Sequence, residues 1–365
     1  MNTTTNPPPI RYAKTSDGVN IAYLTVGSGQ AIVFASNIFG DAHLYRLAWP
    51  HVRVITDTLA AAGWTVIRYD HRGMGSSDRN VNDLSLEARV NDLEAVVAKV
   101  GIRTFALAGV DLGAATAMAY AGRHQASISH LILISPWSSG ARRFAIPDLR
   151  IATAGNATDD REWRIFSSIL GSVATAFEDA ELGRQIAAAV QQATSPAGFF
   201  AYNEASKKID LTTVLPALTM PTVVIHEPAF PFGSFDLCRE VAAGIPDARF
   251  VVTSGNSIAG NAHDSLVAII DQFVRSGTVD SGTPVALEGG TGTRATSTPG
   301  GLTPREVQVL TLVAAGLTNK EIAAKLAVAV PTIERHLVNV YTKIGARGRA
   351  DATAYAVRHG LDTSR

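Results

Sequence analysis

Residues 302–361, LTPREVQVLTLVAAGLTNKEIAAKLAVAVPTIERHLVNVYTKIGARGRADATAYAVRHGL, decide how the C-terminal part of the chain folds. Two capping boxes, Thr303–Glu306 and Thr318–Glu321, each mark the start of a helix, and Gly316 ends the first one. Pro331 can open a third helix with one apolar and one polar side. Two short helices followed by an amphipathic third helix predict a helix-turn-helix.

The apolar positions of these helices predict a small buried core. They recur at spacings of three and four residues, which places them on one side of each helix. They are Val307, Leu310, Val313 and Ala314, then Ile322, Ala323 and Leu326, then Ile333, Leu337, Val340, Tyr341 and Ile344. The opposite side of the third helix carries Glu334, Arg335, Val338, Asn339, Thr342 and Lys343.

This segment closely resembles the helix-turn-helix of LuxR/FixJ-type bacterial transcription regulators. The matching residues are LTPRE at 302–306, GLTNKEIA at 316–323, Thr332-Ile333, His336 and Lys343-Ile344-Gly345. The resemblance implies that the third helix enters the major groove and that a fourth helix, at about 349–359, pairs two copies of the chain. Double-stranded DNA and a second copy are therefore the expected partners. The residues implied at the DNA interface are Glu334, Arg335, Val338 and Asn339 at base edges, Lys320 and Lys343 at phosphates, and Thr332.

Position 334 departs from the pattern because it is often basic in the family and is Glu here. An acid that faces DNA lowers affinity unless it accepts a hydrogen bond from a cytosine amino group. The alternative is a solvated Glu334 that pairs with Arg335 or another neighbour.

Composition and charge set the limits for the whole chain. Its 365 residues are 46% hydrophobic and 18% charged, which permits more than one domain and excludes global disorder. The net charge is zero, but residues 301–365 contain nine Lys/Arg and five Asp/Glu, so they carry +4 and the remainder −4. This asymmetry is typical of a polyanion-binding module attached to a neutral or acidic body.

Several absences point to a cytoplasmic protein without membrane contact. The single Cys238 cannot form an internal disulfide, and the N-terminus has no apolar signal segment. No stretch approaches the roughly 18 uninterrupted apolar residues of a transmembrane helix. No cofactor and no metal are expected.

The body of the chain alternates between strand-like and helix-like segments, which predicts an α/β domain over residues 10–275. Apolar runs predict strands at 19–25, 31–36, 65–70, 104–110, 129–135, 222–226 and 249–253. Residues 137–215 are helix-prone and rich in aromatics, so we expect a helical cap there. Residues 1–9 are expected to be a disordered leader, and 276–300 a flexible linker before a helix-turn-helix domain at 301–365.

Gly109-Val110-Asp111-Leu112-Gly113 has the form of a nucleophile elbow, in which a tight turn from strand to helix presents one side chain. Residues 69–77, YDHRGMGSS, resemble the D-x-R-G-x-G-x-S turn of α/β-hydrolases, and 36–40 lie where that family's oxyanion loop begins. The resemblance implies an α/β-hydrolase fold with a helical cap, followed by the small all-α helix-turn-helix domain.

The three positions that carry the hydrolase chemistry read Asp111, Phe230 and Ser257. An Asp can attack, as in enzymes that resemble haloalkane dehalogenases and epoxide hydrolases, but a His-activated water must then hydrolyse the ester. His263 is the one candidate for that base, and capping of the last helix is its other possible role. Without a base, Asp111 would be an anion at a helix N-terminus that can accept hydrogen bonds from a ligand, or simply a helix cap.

The sequence thus favours an inactive hydrolase-like domain that senses a small, largely apolar ligand for a DNA-binding transcription regulator. The alternative is an active Asp-nucleophile hydrolase, using Asp111 and His263, that also regulates transcription. Fold alone does not decide between them. The expected ligand-binding residues are Asp111, Leu112, Ser36, Asn37, Ile38, Phe39, Trp137 and Phe230.

Overall fold

Two compact units make up the chain, residues 1–287 and 288–365. The computed structural model describes residues 8–37, 39–47, 49–153, 157–175, 177, 179–253, 263–279, 304–326, 330–344, 346 and 348–358. The expected leader lies outside these ranges except for Pro8 and Pro9, and the expected linker except for residues 276–279. Within the described ranges, no helix combines the length and the apolar character that crossing a membrane needs.

The first unit is built on an eight-stranded sheet. The strands are β1 Arg11–Lys14, β2 Asn20–Val26, β3 Gln30–Ala35, β4 Trp64–Tyr69, β5 Phe105–Val110, β6 Ile128–Ile134, β7 Thr222–His226 and β8 Arg249–Val252. Their order across the sheet is β1-β2-β4-β3-β5-β6-β7-β8. β1 and β2 pair antiparallel, as do β2 and β4, and the other neighbours are parallel. The carboxyl ends of β3 to β8 therefore lie at one edge.

Helices cover both faces of this sheet. They are α1 Asp41–Arg46, α2 Pro50–Ala61, α3 Leu86–Val100, α4 Leu112–Arg123, α5 Gly140–Arg143, α6 Pro147–Ala152, α7 Asp160–Ala174, α8 Ala180–Ala193, α9 Pro196–Lys207, α10 Phe235–Gly244 and α11 His263–Ser276. Successive side chains of a strand point to opposite faces. In β6, Leu131 and Leu133 join the core with α3 and α4, whereas Ile132 and Ile134 join the core with α2 and α11. Burial on both faces explains the unbroken apolar runs of these strands.

A helical cap is present as expected, since α5 to α9, from Gly140 to Lys207, all fall between β6 and β7. Asp159, Asp179 and Ser195 cap the last three of these helices, each side chain accepting a backbone N–H bond from the residue three positions later. The α/β class predicted for this unit is confirmed by the mostly parallel sheet with helices on both faces.

The second unit is all-helical in its described part. Its helices are α12 Pro304–Ala314, α13 Asn319–Leu326, α14 Val330–Ile344 and α15 Arg349–Arg358. The capping box at Thr318 is confirmed, because Glu321 N–H donates to Thr318 Oγ1 (3.3 Å) and Thr318 N–H donates to Glu321 Oε2 (2.7 Å). Thr303 of the other capping box lies outside the described residues. Gly316 follows α12 at φ 83°, a conformation that glycine adopts without strain.

Candidate functional site

Asp111 stands between β5 and α4, at the sharp turn that the sequence predicts. Its backbone has φ 48° and ψ −108°, and its side chain is buried. The flanking glycines are required by close packing. A Cβ atom on Gly109 would lie 2.6 Å from the Gly113 carbonyl oxygen, and one on Gly113 would lie 2.4 Å from that of Ala35. The turn therefore holds Asp111 rigidly at the carboxyl edge of the sheet.

The Asp111 carboxylate is bound on both oxygens by buried side chains. Arg143 donates from Nε to Oδ1 (2.6 Å) and from Nη2 to Oδ2 (2.5 Å), and Trp137 Nε1 donates to Oδ1 (2.9 Å). The Asp111 and Arg143 side chains are only 5% and 3% exposed. A bidentate Arg–carboxylate pair of this kind is strong and geometrically specific. The negative charge at the nucleophile position is therefore neutralised within the fold.

The cap supplies Arg143 through the short helix α5. Gly140, the first residue of α5, lies so close to α9 that a Cβ atom on it would be 2.0 Å from the Ser206 carbonyl oxygen. Its N–H also donates to the Ile209 carbonyl oxygen (2.8 Å). These contacts fix the helix so that Arg143 turns inward, whereas Arg142 is exposed and pairs with Glu240.

A second buried ion pair lies behind the loop that follows β3. Arg68 Nη1 donates to Asp41 Oδ2 (2.7 Å), Arg68 Nε donates to Thr56 Oγ1 (2.9 Å), and the guanidinium lies 3.7 Å from the centre of the Phe34 ring. Burial lowers the pKa of Arg68, and the Asp41 carboxylate opposes that shift. The Asn37 N–H, in the predicted oxyanion loop, points to Asp41 Oδ1 at 3.4 Å.

A cavity of about 150 Å³ opens between the sheet edge and the cap. Both ion pairs line it, together with Asn37 and Asn203, and the remaining lining is mostly apolar. The larger apolar side chains are Phe34, Phe39, Leu44, Trp49, Ile55, Leu112, Ile134, Leu149, Leu170, Ile186, Phe199, Phe230, Phe232 and Leu266. An apolar cavity with a few convergent polar groups is the usual form of a small-molecule site.

The ligand-binding residues expected from the sequence fall into three groups. Those on the cavity wall are Asp111, Leu112, Asn37, Phe39 and Phe230. Trp137 is not on the wall but holds the Asp111 carboxylate, and Ser36 is buried with its hydroxyl on the Asn37 carbonyl oxygen (3.2 Å). Ile38 lies outside the described residues.

The cap aromatics contribute mainly to the cap's own core. Phe199 lines the cavity and packs with Trp163, Phe166 and Phe200 in one cluster with centroid distances of 5.0–6.5 Å. Tyr202 stacks on His71 of the sheet turn at 4.5 Å. Among Trp137, Trp163, Phe166, Phe177, Phe199, Phe200 and Tyr202, Phe199 is thus the one found on the described cavity wall.

The other two triad positions offer no described catalytic group. Phe230 lines the cavity, and Ser257 and the His263 side chain lie outside the described residues. His226 ends β7 with its ring at 5.4 Å from that of Phe235, and burial lowers its pKa to about 4. Among the cavity-lining residues that the structure describes, none is a histidine. Glu227, which the sequence reasoning did not consider as an acid, is fully buried directly after β7.

In the turn at residues 69–77, the Asp70 carboxylate binds backbone N–H groups of its own turn and of α1. It accepts backbone N–H bonds from His43 (3.0 Å) and Ser76 (2.9 Å), and Gly75 is needed because a Cβ there would lie 2.4 Å from Asp70 Oδ2. Burial raises the pKa of Asp70 to about 7, although the backbone bonds act against that shift. The D-x-R-G-x-G-x-S pattern therefore has a structural explanation here.

The polar side of α14 is the candidate DNA interface of the second unit. The opposite side is buried, with Ile333, Leu337 and Val340 packed against α12, α13 and α15. Glu334 on α14 and Lys320 on α13 are exposed. The side chains of Thr332, Arg335, Val338 and Asn339 lie outside the described set, although the α14 backbone carries all four.

Lys343, which the resemblance assigns to phosphate, has a partner inside the unit. Its Nζ donates to Glu306 Oε2 at 2.7 Å, and Glu306 is buried. This ion pair joins α14 to α12. A phosphate would therefore have to compete with Glu306 for Lys343, whereas the exposed Lys320 has no such ion pair among the described residues.

Comparison with known proteins matches each unit separately. Residues 301–356 match the family model for bacterial regulatory proteins, luxR family, and residues 32–200 match the model for the alpha/beta hydrolase fold. The AB hydrolase superfamily protein YisY of Bacillus subtilis (strain 168) is 25% identical over 281 residues, which are 73% of this chain and 99% of that protein. The esterase EaEST from Exiguobacterium antarcticum has a TM-score of 0.61 at 19% identity, covering 73% of this chain and 99% of the esterase.

The C-terminal match is closer but shorter. Response regulator Rre1 of Synechocystis sp. (strain ATCC 27184 / PCC 6803 / Kazusa) is 46% identical over 59 residues, which are 16% of this chain and 26% of that protein. The chain thus shares with such regulators about a quarter of their length. From these matches and the two units described above, the protein is an N-terminal domain of the α/β-hydrolase fold joined to a C-terminal DNA-binding helix-turn-helix domain of the LuxR family.

Proposed function

We propose that this protein is a one-component transcription regulator whose α/β-hydrolase-like domain binds a small, largely apolar ligand without turning it over. The ion pair between Arg143 and Asp111 carries this proposal. A nucleophilic carboxylate must have an oxygen free to attack, and here each oxygen accepts at least one charge-assisted hydrogen bond. These bonds stabilise the anion before reaction and so raise the barrier to attack.

The residue at the aligned base position supports the same proposal. Hydrolysis of an Asp ester needs a histidine that activates water, and the aligned base position is Ser257. Phe230 stands where the acid of the triad is expected, and it contributes apolar surface to the cavity instead. The carboxylates on the cavity wall are therefore bound by the two guanidinium groups beside them.

Ligand binding must affect DNA binding through a difference in affinity. A ligand shifts the regulator only if it binds the DNA-competent and the incompetent arrangements unequally. Two copies pairing through α15 would present two α14 helices to DNA, so the ligand would act through dimerisation or domain docking. A cytoplasmic location accompanies this function.

Two measurements test the proposal. Mass spectrometry of the compounds that copurify with the full-length protein should find one small apolar molecule, recovered chemically intact after prolonged incubation. Esters, epoxides and haloalkanes should show no turnover above that of the Asp111→Asn variant. Turnover by the wild type that disappears in Asp111→Asn would contradict the proposal and identify an Asp-nucleophile hydrolase.

A further inference from the structure

The Arg143 guanidinium has a third nitrogen that its interactions with Asp111 do not use. Nε and Nη2 both bind the carboxylate, whereas Nη1 is buried and has no hydrogen-bond partner among the described residues. A buried donor without a partner is energetically costly, and such groups are rare in native structures. Arg143 also lines the cavity.

Two aromatic rings lie next to the Arg143 guanidinium, but neither is a hydrogen-bond acceptor for Nη1. The guanidinium carbon lies 4.7 Å from the centre of the Phe144 ring and 5.6 Å from that of Trp137. Ring faces attract the cation but do not replace a hydrogen-bond acceptor. A cavity occupant with an acceptor atom would satisfy Nη1.

The charges around the cavity determine what kind of acceptor fits. The wall carries two carboxylates, Asp41 and Asp111, and two guanidinium groups, Arg68 and Arg143, paired at 2.7 Å and 2.5 Å. These four charges sum to zero. An added carboxylate would therefore be buried without an opposite charge of its own, which is strongly unfavourable. A neutral acceptor brings no such cost.

We propose that the ligand is a neutral carbonyl compound about the size of a six-membered ring, and that its oxygen accepts a hydrogen bond from Arg143 Nη1. This inference rests on the proposed function, because it assumes that the cavity binds a ligand. A largely apolar cavity of about 150 Å³ can hold a molecule the size of benzene. Since Arg143 belongs to the cap and Asp111 to the sheet edge, the bound carbonyl would also strengthen the connection between these two parts.

The test compares two probes of nearly identical shape, cyclohexanone and methylenecyclohexane, which differ in having C=O or C=CH₂. Their affinities for the full-length protein are measured by NMR titration. The two affinities give a ketone preference for each protein, defined as the ratio of the affinity for cyclohexanone to that for methylenecyclohexane. Comparing this ratio between proteins cancels the unequal hydration of the two probes.

The informative variant is Asp111→Asn/Arg143→Met, which removes both charges together. Asn tolerates the positive φ at position 111 and keeps an oxygen for Trp137 Nε1. We expect the ketone preference to fall about 10-fold or more, as for loss of a hydrogen bond to a charged donor. The matched control is Glu240→Gln/Arg142→Met, the ion pair of the neighbouring α5 residue, which does not line the cavity and should leave the preference unchanged.

The outcomes separate this inference from the function on which it rests. An unchanged preference in Asp111→Asn/Arg143→Met, or an equal loss in the control, would overturn the assignment to Arg143 while the cavity still binds both probes. Tighter binding of cyclohexanecarboxylate than of cyclohexanone would overturn the neutral class. Binding of neither probe would count against the ligand-binding cavity itself. As a readout independent of variants, the infrared C=O frequency of bound cyclohexanone should lie below its value in hexane.

Discussion

Arg143 and Asp111 form a buried bidentate ion pair at the position where an α/β-hydrolase carries its nucleophile, with N–O distances of 2.6 Å and 2.5 Å. The pair links the cap to the sheet edge, because Arg143 ends α5 and Asp111 precedes α4. The pair therefore holds the cap against the sheet and also places two charged groups on the cavity wall.

Removing one partner of this pair should be costly. Arg143→Met leaves the Asp111 carboxylate buried with Trp137 as its remaining described side-chain donor, and we expect it to lower the free energy of unfolding by about 3–5 kcal/mol. Asp111→Asn/Arg143→Met should cost less than this single change, since no uncompensated charge remains. Urea denaturation measures both. A single variant as stable as the wild type would mean that the ion pair does not form in solution.

The glycines of the elbow give a second prediction. Gly113→Ala would place a Cβ atom 2.4 Å from a backbone oxygen of β3, and we expect a loss of about 3 kcal/mol. Gly122→Ala in the same helix is the control, because its Cβ would meet only the Val214 side chain, at 2.9 Å. There the gain in helix propensity, about 1 kcal/mol, should offset a small adjustment. Equal losses in the two variants would refute the close approach of α4 to β3.

Burial of His226 should make the free energy of unfolding depend on pH. Burial lowers its folded-state pKa from 6.5 to about 4, so the unfolded chain binds this proton first as the pH falls. The contribution of His226 to the free energy of unfolding is fully present above pH 6.5. It decreases as the pH falls from 6.5 to about 4, by up to about 1.4 kcal/mol per pH unit. His226→Gln should reduce the slope of unfolding free energy against pH in this window. An unaltered slope would contradict the lowered pKa.

The two lysines assigned to phosphates should behave differently. Lys320→Gln should reduce the salt dependence of DNA binding by about one unit of log–log slope, because Lys320 is exposed. Lys343→Gln should change that slope less and instead destabilise the C-terminal domain by about 1 kcal/mol, since Lys343 holds Glu306. Salt titrations and thermal unfolding of the full-length protein distinguish them. A larger slope change for Lys343 would show that DNA displaces Glu306.

Arg335 provides the test of base recognition. If it reads a base edge, Arg335→Ala should weaken binding to a selected operator by about 1–3 kcal/mol and leave binding to random duplexes nearly unchanged. Fluorescence anisotropy with both duplexes measures the difference. An equal loss on both would assign Arg335 to the phosphate backbone.

The regular parts of the first domain could be predicted from sequence because both periodicity and apolar runs mark them. The predicted strands at 31–36, 104–110 and 222–226 agree with the observed strands to within a residue. The strand β1, Arg11–Lys14, was not predicted, since only one of its four residues is buried and it leaves no pattern. The core of the helix-turn-helix was largely predictable, although the fully buried Val309 was not included.

The chemistry of the cavity was predictable only in part. The glycines on both sides of Asp111 predict the elbow, because close backbone packing requires glycine at these positions. Arg143 and Arg68 leave none, since their partners are 32 and 27 residues away in the chain. The sequence contains one indirect signal, because a carboxylate at a buried elbow needs a cation as its partner.

The most direct test of the account is a titration of operator DNA, selected from a random pool, with and without the compound extracted from the cavity. We expect the compound to change the affinity of the full-length protein for this DNA about 5-fold or more, and Asp111→Asn/Arg143→Met to abolish the change. The compound should be recovered unaltered. An operator affinity and stoichiometry that stay the same while the compound occupies the cavity would contradict the account.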